Sequence, residues 1–119
     1  MSTRQVSYRA SGPTRLLQAD FEVRTAWTAH SSNYWTLTLR HLRAAQAPYA
    51  AQTTGETVGD AYSLATRSLS ARVPVTLYTS EAGLAMADGD SLVLSIEGTG
   101  SPAALVDAEL WLKVQRIAR

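Results

Sequence analysis

Apolar and polar residues alternate with a period of two over several short runs of the chain. Phe21, Val23, Thr25 and Trp27 take one phase against Glu22, Arg24, Ala26 and Thr28, the pattern of a half-buried strand. Trp35, Leu37 and Leu39 repeat it against Thr36, Thr38 and Arg40, and the polar stretch 29–33 between these runs has hairpin length. The two runs are therefore expected to be antiparallel neighbours. Val73, Val75 and Leu77 against Pro74, Thr76 and Tyr78 predict a further strand. Pro74 cannot donate to a ladder, which puts that strand at a sheet edge or a bulge. Leu92, Leu94 and Ile96 predict another, and Leu110, Leu112 and Val114 the last, with Trp111 on its polar phase between Glu109 and Lys113. Tyr62 to Ser70 is β-like but weakly patterned. No window sustains a helical period, and no internal repeat is present.

Six or seven short strands separated by turn residues predict an all-β fold, an antiparallel β-sandwich of immunoglobulin-like or jelly-roll-like form. At 119 residues the chain is the size of one domain. Two stretches stand outside the pattern. Residues 1–20 are polar, contain Gly12-Pro13, and carry Arg4, Arg9 and Arg15 against the single acid Asp20. They are expected to form an extended N-terminal arm, either a mobile tail or a grip on a neighbouring subunit. Residues 44–60, rich in Ala, Thr and Gly and interrupted by Pro48, Gly55 and Gly59, are expected to be a long loop within the 21–119 sandwich.

Composition narrows the function classes. With 45% apolar and 18% charged residues the chain is too hydrophobic for disorder throughout. A net charge of +1, from scattered basic residues, gives little attraction for nucleic acid. The absence of cysteine removes disulfides, thiolate metal sites and thiol nucleophiles. No run of about 18 apolar residues exists to cross a membrane as a helix. The first residues lack the apolar core of a secretory signal, so use without processing is expected. Ten arginines against the single Lys113 reflect genome composition or interface use.

Candidate chemistry is sparse. Asp88, Asp90 and Glu97 offer the hard oxygens that calcium prefers, but after Ser91 an apolar strand begins where further acceptors are needed. Asp88-Gly89-Asp90 reads better as a turn, since Asp and Gly tolerate left-handed backbone. His30 and His41 stand eleven apart with no third ligand placed by the sequence. His41 lies on an inward phase and reads as a hydrogen-bonded, partly buried imidazole. No Gly-x-Ser-x-Gly elbow, Walker loop or dinucleotide fingerprint occurs, so neither an enzyme, a metal nor a cofactor is expected. Among the aromatics, Trp27 and Trp35 fall on core phases. Tyr49 lies in the long loop, and Tyr78 and Trp111 fall on outer phases suited to an interface or a sugar-stacking groove.

The stretch ADGDSLVLSIEGTGSPAALVDAELWLKV, Ala87 to Val114, is similar to the end of small β-sandwich structural proteins of tailed bacteriophages. There a Gly-Asp turn opens a strand, a Gly-Ser/Thr-Pro loop follows, and an alternating strand closes the sheet. Leu64 to Asp90 also resembles their penultimate strands. The resemblance implies a capsid decoration (cement) protein, made in the host cytoplasm and bound to the capsid surface of the virion as a homotrimer. Its partner would be the major capsid protein, bridged through Arg4, Arg9, Arg15, Tyr49, Tyr78 and Trp111. The alternative is a carbohydrate-binding module of a phage fibre or tail.

Overall fold

The computed structural model describes residues 3–43, 56–105 and 107–116, and side chains from Tyr8 onward. Among the described residues there are eight strands and no helix: β1 (Thr3–Arg9), β2 (Thr14–Glu22), β3 (Tyr34–Leu42), β4 (Glu56–Thr57), β5 (Tyr62–Ser63), β6 (Val75–Met86), β7 (Ser91–Thr99) and β8 (Glu109–Arg116). One sheet runs β1-β7-β3-β4, with β5 also on β3, and the other runs β6-β2-β8. Every strand pairing is antiparallel. The six long strands alternate between the sheets in chain order, so each connection between them crosses the sandwich.

The core explains the arrangement. Leu16, Ala19 and Phe21 of β2 and Leu37, Leu39, Leu92 and Leu94 of the facing sheet belong to one buried cluster. Each fully buried large side chain there is worth about 1.5–3 kcal/mol. β7 lies between β1 and β3 and is buried on both faces from Ser91 to Ile96. Leu92, Leu94 and Ile96 join the shared core, while Val93 packs with Leu42 in a second small cluster.

Three expectations are corrected. The expected arm, where it is described, is built into the body: β1 pairs with β7 from Thr3 to Arg9, and β2 is the central strand of the second sheet. β2 also runs to Glu22, through the expected boundary between arm and sandwich. Its alternation was hidden because a register shift falls between Leu16 and Gln18, which makes Leu17 an extra residue on the strand. The runs around Phe21–Trp27 and Trp35–Leu39 are not neighbours. Phe21 belongs to the second sheet and Trp35 to the first, and Trp27 makes only an isolated bridge to Leu69. Val23 and Trp27 are buried because this segment wraps the end of the core, where inward alternation arises without a ladder. Within the expected loop 44–60, residues 44–55 lie outside the described residues. Glu56–Thr57 pairs with β3, and the buried Val58 donates its N–H to Leu39 O at 2.7 Å.

Two connections run side by side at one end of the sandwich, because β1 neighbours β7 and β2 neighbours β6. The Ala10 N–H donates to Asp90 O at 2.8 Å, the Gly89 N–H to Ala10 O at 3.0 Å, and the Gly12 N–H to Asp88 Oδ1 at 2.8 Å. Asp88-Gly89-Asp90 is thus a turn, as expected, and also a clasp on the β1–β2 connection. At the other end, the indole N–H groups of Trp27 and Trp35 both donate to Ala103 O, at 3.2 and 2.8 Å.

Candidate functional site

The outer face of the β6-β2-β8 sheet is a regular exposed surface. Arg15, Gln18, Asp20 and Glu22 alternate on β2 with its buried residues, and Glu109, Trp111, Lys113 and Gln115 alternate on β8 with the half-buried Leu110 and Leu112 and the exposed Val114. The register sets Trp111 opposite Asp20, Lys113 opposite Gln18 and Gln115 opposite Arg15. The Gln18 amide donates to both Asp20 oxygens, at 3.0 and 2.8 Å, which fixes the carboxylate beside the indole. Gln18, Asp20, Trp111, Leu112 and Lys113 line a shallow groove of about 190 Å³. Trp111 is 56% exposed on this face. Leaving that much indole in water is unfavourable for an isolated chain, and such a residue is the usual anchor of a docking surface.

The remaining expected site residues are dispersed. Arg15 shares the Trp111 face, whereas Arg9 is exposed on β1 in the other sheet, opposite Ser91. Arg4 pairs with Ile96, and its side chain lies outside the described residues, as does all of Tyr49. The three arginines are therefore distributed over strands of both sheets, Arg4 and Arg9 on β1 and Arg15 on β2. Tyr78 is half-buried against the core, not an outward anchor, because its register partner is the buried Ala19. It lines a groove of about 410 Å³ with Asp60, Tyr62, Arg67, Thr76 and Thr79. The Arg67 guanidinium lies 4.5 Å from the centre of the Tyr62 ring. Gly59 shapes this groove with a φ of +71°, where a Cβ would stand 2.9 Å from Leu77 O.

Both histidines serve the fold. His30 Nδ1 accepts the N–H groups of Ser32 and Asn33 at 3.1 and 2.9 Å, closing the turn before β3. His41 is buried, as expected, and its Nε2 donates to Asp90 Oδ2 at 2.9 Å. Asp90 also accepts the Ala87 N–H at 3.0 Å. Glu56, on β4, reaches His41 Nδ1 at 3.9 Å. Sequence reading missed this pair: the inward phase of His41 was visible, but a partner 49 positions away carries no local signal. A cleft of about 420 Å³ lined by Glu22, Arg24, Arg72, Asp107, Ala108 and Glu109 was missed too. Arg24 and Asp107 meet across it at 3.4 Å, an exposed pair of little energetic weight. Among the described residues no group of three or more His, Asp or Glu side chains is arranged to hold a metal ion.

No family model matches the chain, and neither the curated proteins nor the solved structures contain a match.

Proposed function

We propose that this chain is a non-catalytic docking protein of a virion, a capsid decoration protein that binds the outside of the capsid lattice and bridges major capsid protein subunits. The observation that carries the docking role is Trp111, exposed on the outer face of a regular sheet with Asp20 and Lys113 beside it. A rigid β-body with an aromatic anchor and a mixed-charge rim suits attachment to a protein surface. The capsid as target rests on the resemblance of Ala87–Val114 to phage β-sandwich proteins. The test is cosedimentation with purified capsids of the encoding virus, using wild type and Trp111→Ala. Wild type should pellet with capsids. Loss of a central Trp anchor costs at least about 2 kcal/mol, so the variant should bind roughly 30-fold more weakly. Absence of wild-type binding would refute the capsid role, and equal binding by the variant would remove this face from it.

The groove of Asp60, Tyr62, Arg67, Thr76 and Tyr78 favours a second reading, a carbohydrate-binding module. Its aromatic rings, hydroxyls and charged groups converge as sugar recognition requires. A glycan array with Tyr78→Ala beside wild type tests it, and a blank wild-type array would count against it.

A further inference from the structure

We infer that β8 is a pairing edge for a second copy of this chain, two β8 strands joining antiparallel about a two-fold axis at Trp111 to continue both three-stranded sheets as one. The inference does not depend on the target of the outer face.

The two edges of the β6-β2-β8 sheet differ in kind. β6 is a protected edge: Pro74 precedes it, and its register with β2 breaks twice, between Leu16 and Gln18 and between Ala19 and Asp20. Such irregularities twist an edge away from partners. β8 pairs with β2 residue by residue from Glu109 to Arg116, and the one shift in that pairing arises from the extra residue Leu17 on β2. β8 itself carries no extra residue, and among the described residues no strand pairs with its other side.

The same edge leaves the core open. On β2 the inward residues Leu16, Ala19 and Phe21 are fully buried. On β8 the residues of the same phase are not: Leu110 and Leu112 are half-buried and Val114 is 39% exposed. Val114 and Trp111 are two of the three large exposed apolar side chains among the described residues, the third being Val73. An unpaired edge strand that exposes apolar side chains, Val114 on its inner face and Trp111 on its outer one, is a template for another strand.

Charge order selects the partner and the register. A two-fold axis perpendicular to the sheet keeps each face continuous, so a residue pairs with one of its own phase. Centring on Trp111 sets Glu109 of each copy opposite Lys113 of the other and Leu110 opposite Leu112. Centring on Lys113 would oppose two lysines, and centring on Leu112 would leave Glu109 against Gln115. A lone edge lysine normally discourages pairing, but here Glu109 answers it. Glu109 has a further reason to accept a cation from outside, because Glu22 faces it across β2 and β8. Arg24 and Arg72 line the cleft on that side, and the second copy's Lys113 would approach from the other.

The dimer is tested by sedimentation velocity over a micromolar concentration series and by cross-linking. Wild type should form a species of twice the 12.8 kDa chain mass. Lys113→Glu and Glu109→Lys each turn two attractive cross-strand pairs repulsive and should weaken dimerisation about tenfold, while the double reversal restores it. The chain has no cysteine, so a single introduced one reports its own neighbour. Residues directly opposite on antiparallel strands are within disulfide reach. Trp111→Cys should therefore cross-link on oxidation, and Gln115→Cys, which in this register lies far along the strand from the partner's cysteine, should not. A monomer or a trimer at all concentrations overturns the inference, as does a double reversal no better than the single ones, or equal cross-linking at both positions.

Discussion

Replacing Asp90 with alanine removes an acceptor that two groups share inside the sandwich. Its Oδ2 takes the His41 Nε2–H at 2.9 Å and the Ala87 N–H at 3.0 Å, and both side chains of the pair are about 5% exposed. Hydrogen bonds to a charged group contribute about 1.5–3 kcal/mol each, and breaking a buried pair by removing one partner costs about 3–5 kcal/mol. The expected loss for Asp90→Ala is therefore about 3–5 kcal/mol. A chain of 119 residues has a total stability of roughly 6–18 kcal/mol, so the variant should still fold, with Tm lowered by roughly 12–20 °C. Urea unfolding followed by tryptophan fluorescence reads this directly, since Trp27 and Trp35 are buried and bonded to the loop that closes the opposite end. Asp90→Asn keeps the shape and one acceptor and should lose about half as much. In the double variant Asp90→Ala, His41→Leu no imidazole is left stranded, so its loss should fall about 1–3 kcal/mol short of the sum of the single losses. An Asp90→Ala midpoint within about 1 kcal/mol of wild type would falsify the view that this pair ties the β6–β7 turn to β3.

Gly100→Ala should destabilise by about 1–3 kcal/mol in the same assay, because φ is +70° there and a Cβ would collide with Asn33 Oδ1 and Ser32 O. Trp35→Phe keeps the ring but loses the 2.8 Å bond to Ala103 O, and should cost about 1 kcal/mol and speed proteolysis between Gly100 and Leu105. His30→Ala strips the acceptor from two backbone donors on an exposed turn, and a loss of about 0.5–1 kcal/mol is expected, read from the urea midpoint.

The elements visible in the sequence are those whose alternation is uninterrupted. β3, β7 and β8 follow from their periods, and the edge position of β6 follows from Pro74. β2 escaped because one extra residue, Leu17, shifts its phase midway, and a polar first half then resembles an arm. The weak pattern at Tyr62 to Ser70 is also real, since only Tyr62–Ser63 and the bridge at Leu69 pair there. What no local pattern carries is which strands meet. Alternation tells a residue's face and says nothing about its neighbour, so Phe21 and Trp35 read as hairpin partners when they lie in opposite sheets. The same limit hid the sites. Trp111 was legible because exposure follows from phase alone. Tyr78 was misassigned because the irregular β2–β6 register turns its ring toward the core. Asp88 and Asp90, two residues apart, looked alike as turn residues, yet Asp88 accepts a bond on the surface and Asp90 is buried against His41.

The docking face and the pairing edge meet at one side chain, which determines how they can be told apart. Trp111 stands on the outer face and on the edge strand at once, so its loss would weaken attachment and dimerisation together. The charges flanking it divide the two roles. In the Trp111-centred register Glu109 and Lys113 act between copies, while Asp20 and Gln18 lie one strand inward, beside the indole but away from the seam. A dimer built this way presents two copies of the face in one plane. On the proposed capsid target each would hold the other near the surface, so modest single contacts would combine into tight attachment. Reversing Glu109, which does not line the Trp111 groove, leaves the indole, Lys113 and the Gln18–Asp20 pair in place. Any attachment lost with it would therefore measure the contribution of pairing, separate from that of the anchor itself.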